Sequence, residues 1–152
     1  MLAAFWYPVL ARSWRKGCPV TIWVPEIGDV ITAIISLACR GGEQLRMHRV
    51  YSALSELKGG NTLLSGLSFS ITGAVCYSRQ VDETLRSLVA RGVLVLKGRD
   101  TLVIRNDAPK EIRVRLRKKL PRSAYRSLRA ASKRFYGKMF HGPEGSHALL
   151  PR

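Results

Sequence analysis

The stretch that most restricts what this chain can fold into covers residues 77–105, where a helix signal gives way within a few residues to a hairpin signal. Ser78 is placed to accept a hydrogen bond from a free amide at the start of a helix, and Gly92 suits the left-handed residue just past its end. Between them Val81, Leu85, Leu88 and Val89 recur at helical spacing and form one apolar face. Arg79, Asp82, Glu83, Arg86 and Ser87 fall on the other faces. The period then changes. Residues 93–96 and 101–104 are short apolar runs rich in β-branched side chains, and Lys97-Gly98-Arg99-Asp100 between them is turn material.

Two helices are expected upstream. Over residues 27–39, Ile27, Val30, Ile31, Ile34, Ile35 and Ala38 lie on one stripe, with Pro25 and Glu26 suited to the start and Arg40-Gly41-Gly42 to the end. Residues 43–58 read as a second helix with Met47, Val50, Tyr51, Leu54 and Leu57 on its apolar face, stopped by Gly59-Gly60-Asn61. Residues 62–67 read as a turn of helix and residues 69–75 as extended chain. Downstream, Asp107-Ala108-Pro109 can open a helix, with proline in the first turn where its missing N–H costs nothing. Ile112, Leu116 and Leu120 would be its buried edge. The strict alternation of residues 112–117 competes for a strand, and the cap signals decide for helix. After Pro121, residues 123–136 form a last amphipathic helix with Tyr125, Leu128, Ser132 and Phe135 on one face. This apolar face is narrow, and either the domain body or a second copy can cover it.

Charge carries the functional signal. The chain of 152 residues has 26 Lys and Arg against 10 Asp and Glu, a net charge of +16. From Lys110 to Lys138 there are twelve Lys or Arg and one acid, Glu111. Such a field favours polyanions, whether DNA, RNA or an anionic membrane. Cys18, Cys39 and Cys76 have no CxxC spacing and no adjacent His, so no zinc signature is present and buried thiols in a reducing compartment are expected. His48, His141 and His147 are scattered, and no HExxH, GxSxG, Walker A or GxGxxG motif occurs. The chain is therefore read as no enzyme, with no cofactor, no metal and no small-molecule substrate.

The order helix, helix, linker, capped helix and hairpin, closing on Leu88-Val89-Ala90-Arg91-Gly92, resembles the winged helix-turn-helix domains of prokaryotic regulators, archaeal ones included. More narrowly, residues 27–106 are similar to uncharacterised proteins related to the Panacea antitoxin domain. In those a Gly-Pro-Tyr-Ser stretch precedes the third helix; here Ala74-Val75-Cys76-Tyr77-Ser78 stands there and the Gly-Pro part is missing. The resemblance implies a DNA-binding or protein-interaction module and carries no catalytic residue.

The fold class expected is α+β and mostly helical: a winged helix, helices followed by a β-hairpin wing, with a basic helical extension at the C-terminal end. Residues 1–24 are expected to be an N-terminal extension, disordered or an over-extended gene start. Residues 25–106 form the winged-helix domain, 107–136 the basic helical extension and 137–152 a flexible tail. The function expected is a DNA-binding transcriptional regulator or antitoxin-like module, cytoplasmic and associated with the nucleoid. Its recognition helix is residues 78–91 and its basic wing residues 93–105. Arg79, Gln80, Glu83, Arg86 and Ser87 would face base edges. Lys97, Arg99 and Arg105 on the wing, then Arg113, Arg115, Arg117, Lys118, Lys119, Arg122, Arg126 and Arg129, would bind phosphates. Double-stranded DNA is the first partner, with a homodimer through the terminal helices. The competing readings are an RNA or ribonucleoprotein binder, a protein-docking winged helix, and a peripheral membrane protein anchored by Phe5, Trp6, Tyr7 and Trp14.

Overall fold

The computed structural model describes residues 9–13 and 20–141. It is α+β and mostly helical, with small antiparallel sheets. An N-terminal hairpin pairs β1 (Val9–Ser13) with β2 (Val20–Val24), so part of the segment expected as an extension is regular strand. The aromatic anchor residues Phe5, Trp6, Tyr7 and Trp14 lie outside the described residues.

The helix α1 (Ile27–Ala38) is the centre of the molecule. A single apolar stripe was the expectation from spacing, yet every residue from Val30 to Ser36 is buried. Three helices enclose it. The capped helix α3 (Arg79–Ala90), then α4 (Ala108–Lys119) and α5 (Arg122–Phe140), all pack against it. Its two buried hydroxyl residues fit because their polar groups are met locally or are satisfied; Thr32 Oγ1 donates to the Gly28 carbonyl at 2.8 Å.

The second helix begins later than periodicity indicates. Residues 44–46 are a strand, β3 (Gln44–Arg46), and α2 runs over Met47–Lys58. Two contacts pull those residues out of the helix. Leu45 is fully buried, and β3 pairs with β7 (Thr101–Ile104), whose other neighbour is β6 (Leu94–Lys97). The sheet order is β3-β7-β6. Gly41 makes this entry feasible, because a Cβ there would overlap the backbone of Asn106. A long-range ladder thus overrides a local helix preference.

Between α2 and α3 a single 3₁₀ turn (Thr62–Leu64) is followed by a second hairpin, β4 (Ser70–Thr72) paired with β5 (Val75–Tyr77). Ser78 caps α3 as expected, its hydroxyl accepting from the Val81 amide at 3.4 Å, and Gly92 takes φ +72° past the helix end. Residues 108–119 are helix rather than strand, although Asp107 at the cap position makes no side-chain hydrogen bond to cap it.

The last helix is longer than expected and belongs to the core. It continues through Gly137 to Phe140 instead of ending at Tyr136. Leu128, Phe135 and Met139 are buried against α1 and α2, Arg49 donates to the Met139 carbonyl at 2.9 Å, and Lys138 pairs with Glu56. Tyr136 and Phe140 stack with ring centroids 4.6 Å apart. The boundary drawn at residue 107 therefore marks a change of composition and not of packing. Because the narrow apolar face of α5 is spent on the body, it offers no free surface to a second copy. Among the described residues no helix is long and apolar enough to cross a membrane.

Phe135 is the largest of the fully buried side chains. Phe135→Ala should lower unfolding free energy by about 3–5 kcal/mol in a denaturant titration, as for core aromatic truncations generally. A loss under about 1 kcal/mol would mean that α5 is a detachable appendage.

Candidate nucleic-acid interface

The structure places fifteen of the sixteen side chains singled out from sequence in three groups, and the sixteenth, Ser87, in a groove beside α3. The first group is held in pairs on α3. Arg79 Nε lies 2.8 Å from Glu83 Oε1, and the carboxylate beside it raises the Arg79 pKa further. Arg86 Nε lies 2.9 Å from Asp82 Oδ2. Asp82 was expected on an outer face among the polar residues; instead it is buried, where Tyr51 also donates to it at 3.2 Å. Burial, and then the Asp82 charge, push the Tyr51 hydroxyl up to about 12. The two i,i+4 pairs leave the outward side of α3 with no net charge.

A second group is committed to structure. The Gln80 side-chain amide donates to the Gly66 carbonyl at 3.0 Å, and its oxygen accepts from the Ser68 amide at 2.8 Å. It staples the linker before β4 to α3 and has little left to read a base edge. Arg113 does the same for α1. Its guanidinium donates to the carbonyls of Ser36, Leu37 and Cys39 at 3.2 to 3.3 Å. A helix end leaves its last carbonyls without partners, and a buried end needs a donor. Arg113 is thus a C-terminal cap for the central helix, its guanidinium engaged there and not standing free as expected from sequence. Arg105 lies 3.7 Å from Glu111, and Arg117 donates to the Tyr125 hydroxyl at 3.2 Å with its guanidinium near that ring.

Gln80, Glu83 and Ser87 also line a groove between α3 and the first turn of α1, with Glu26, Asp29 and Arg91. Three carboxylates face one guanidinium there. Burial first, and then Glu26, raise the Asp29 pKa, while Arg91 lowers it. The groove is therefore acidic, in contrast to the basic faces of α4 and α5.

The third group is free. Lys97 and Arg99 flank Gly98 at the tip of the β6–β7 hairpin. Arg115, Lys118 and Lys119 are exposed on α4, and Arg122, Arg126 and Arg129 on α5. None of these eight has a salt bridge or side-chain hydrogen bond among the described residues. Lys133, also exposed, belongs with them and was not singled out from sequence. Residues 122, 126, 129 and 133 follow an i, i+4, i+7, i+11 spacing, which puts all four on one line along α5, away from buried Leu128, Ala131 and Phe135. That spacing was readable in the sequence and is the signal that finds Lys133. The line is roughly 16 Å long at 1.5 Å per residue.

Among the described residues no group of three His, Cys, Asp or Glu is placed to hold a metal ion. Cys39 is buried against α1's own end, and burial pushes its thiol up to about 12. No protein-family model matches the chain, and no curated protein and no solved structure is significantly similar to it.

Arg113→Gln should lower stability by about 2 kcal/mol, the usual cost of stranding buried acceptors that a charged donor had served. It should leave the salt dependence of any polyanion binding unchanged, because the guanidinium is not available to phosphate. In an alkaline titration followed by tyrosinate absorbance, one group should ionise near 12. Tyr51→Phe should remove that step, and its persistence in the variant would assign the raised value to another tyrosine.

Proposed function

We propose that the protein binds double-stranded DNA mainly through the phosphate backbone, with the α5 line of Arg122, Arg126, Arg129 and Lys133 as its principal contact and the Lys97–Arg99 tip as a second. The line of four unpaired cations carries this reading. On a helix, like charges three or four residues apart cost about 0.2–0.5 kcal/mol per pair, so the arrangement is unfavourable until an anion is bound. A row of phosphates removes that cost and releases condensed counterions as it does so.

The element order supports a winged-helix assignment for residues 27–104. Helix α1, strand β3, helices α2 and α3, and strands β6 and β7 follow one another, and the sheet order β3-β7-β6 places the late hairpin beside the early strand. In that reading α3 is the recognition helix and the β6–β7 hairpin is the wing. The pairing of Arg79 with Glu83 and of Arg86 with Asp82 weakens base reading, because the guanidiniums are already engaged. The protein is accordingly a DNA binder of low sequence preference, acting at the nucleoid, rather than a reader of one tight operator. Duplex is favoured over single-stranded RNA because stacking platforms are scarce: among the described aromatic side chains only Tyr77 is largely exposed.

The test is anisotropy of a labelled duplex across a salt series. Wild type should show a steep fall of affinity with salt. The combined variant R122Q/R126Q/R129Q/K133Q should have a slope shallower by about 3 to 4 units, near 0.9 per charge removed, with folding intact. An unchanged slope would reject the α5 contact. Displacement of the duplex by folded RNA at far lower concentration than by unlabelled duplex would replace DNA with RNA as the partner.

A further inference from the structure

From Gly59 to Ser78 the chain has twenty consecutive residues without a single Asp, Glu, Lys, Arg or His, in a protein of net charge +16. The β4–β5 hairpin is the exposed part of this segment. Ile71 is 70% exposed, Val75 66% and Tyr77 43%, and five of its six strand residues are classed as exposed. Its two strands have only three residues each. On its inner side β5 packs on α2, and Tyr77 meets Tyr51 with ring centroids 5.7 Å apart. Among the described residues β4 pairs with β5 alone, so its outer edge is open.

We propose that this hairpin is where a second copy of the chain docks, edge to edge through β4. A short two-stranded hairpin is marginal by itself and gains from further strands. An open apolar edge is a template for such addition, and nothing charged guards this one. Charge selects the occupant. A partner with ordinary acidic content gains most by docking on the basic faces of α4 and α5. A second copy is repelled by those faces, being equally basic, and meets no like charge on the exposed hairpin within residues 59–78. Antiparallel pairing about a twofold axis puts Ile71 opposite Ile71 of the other copy, an isologous contact. The joint is small, so it gives a weak dimer whose two α5 lines add their phosphate contacts on one duplex.

Sedimentation of the full chain over a dilution series, with reductant present and enough salt to screen the basic faces, tests this. Wild type should pass from monomer to dimer with concentration. Ile71→Lys with Val75→Lys should raise the dissociation constant roughly tenfold or more, because the lysine at 71 then faces its own copy across the axis and the lysine at 75 adds like charge to the same hairpin. Val114→Lys, at an exposed apolar site on α4, should associate like wild type. Circular dichroism matching wild type shows that the double variant is folded; if it is not, Ile71→Ser serves and should weaken the dimer in the same direction. A monomer at all concentrations overturns the proposal, as does a double variant that dimerises normally. Binding of the wild type, and not of the double variant, to neutral phosphatidylcholine vesicles without self-association would give the hairpin to a lipid surface and would equally overturn it.

Discussion

Everything in this fold follows from enclosing one helix. A helix with seven consecutive buried residues has no outward side, so its neighbours must come from more than one direction. Helix α3 supplies one wall, and α4 with α5 supplies the others. Enclosure also buries the C-terminal end of α1, whose carbonyls would be left unpaired at a cost of a few kcal/mol. Arg113 meets three of them. The most basic third of the chain is therefore present first as packing, with its apolar edge and one arginine turned inward.

That double use explains how the charge is distributed. Several cations off the α5 line are neutralised by partners: Arg86 by Asp82, Arg79 by Glu83, Lys138 by Glu56. Such exposed pairs contribute little to stability, yet they remove cations from circulation. The side of α5 away from the core has no packing duty, and there the charges stand in a line with no ion-pair partner among the described residues. Under the proposed function, the polyanion's counterpart lies on the last helix rather than on the helix with the cleanest amphipathic pattern.

Local signals were legible in the sequence wherever a residue acts on its own neighbours. Ser78 and Gly92 fixed the ends of α3, Pro109 opened α4, and Lys97-Gly98-Arg99-Asp100 marked the turn between β6 and β7. Signals that depend on a distant partner were not. Residues 44–46 carry helical periodicity and are a strand because β7 lies beside them. Gly137 reads as a helix stop, but Met139 and Phe140 find partners beyond it. Asp82 looks like one more surface acid, and nothing near it in sequence reveals Tyr51. Arg113 is one of several arginines in an alternating run; once wound into a helix these diverge, and only the fold shows which one meets the end of α1. Of the candidate site, the exposed cations at the hairpin tip and three of the four on α5 were read from charge alone, Lys133 excepted, whereas the neutrality of α3 required knowing the pairs.

The account stands on the claim that α5, and not α3, is the face a duplex touches. Amide hydrogen exchange of the protein with and without a duplex measures this directly. The account predicts added protection along residues 122–133 and at the 97–99 tip, with residues 79–87 little changed. Protection concentrated on residues 79–87, with α5 unaffected, would contradict it.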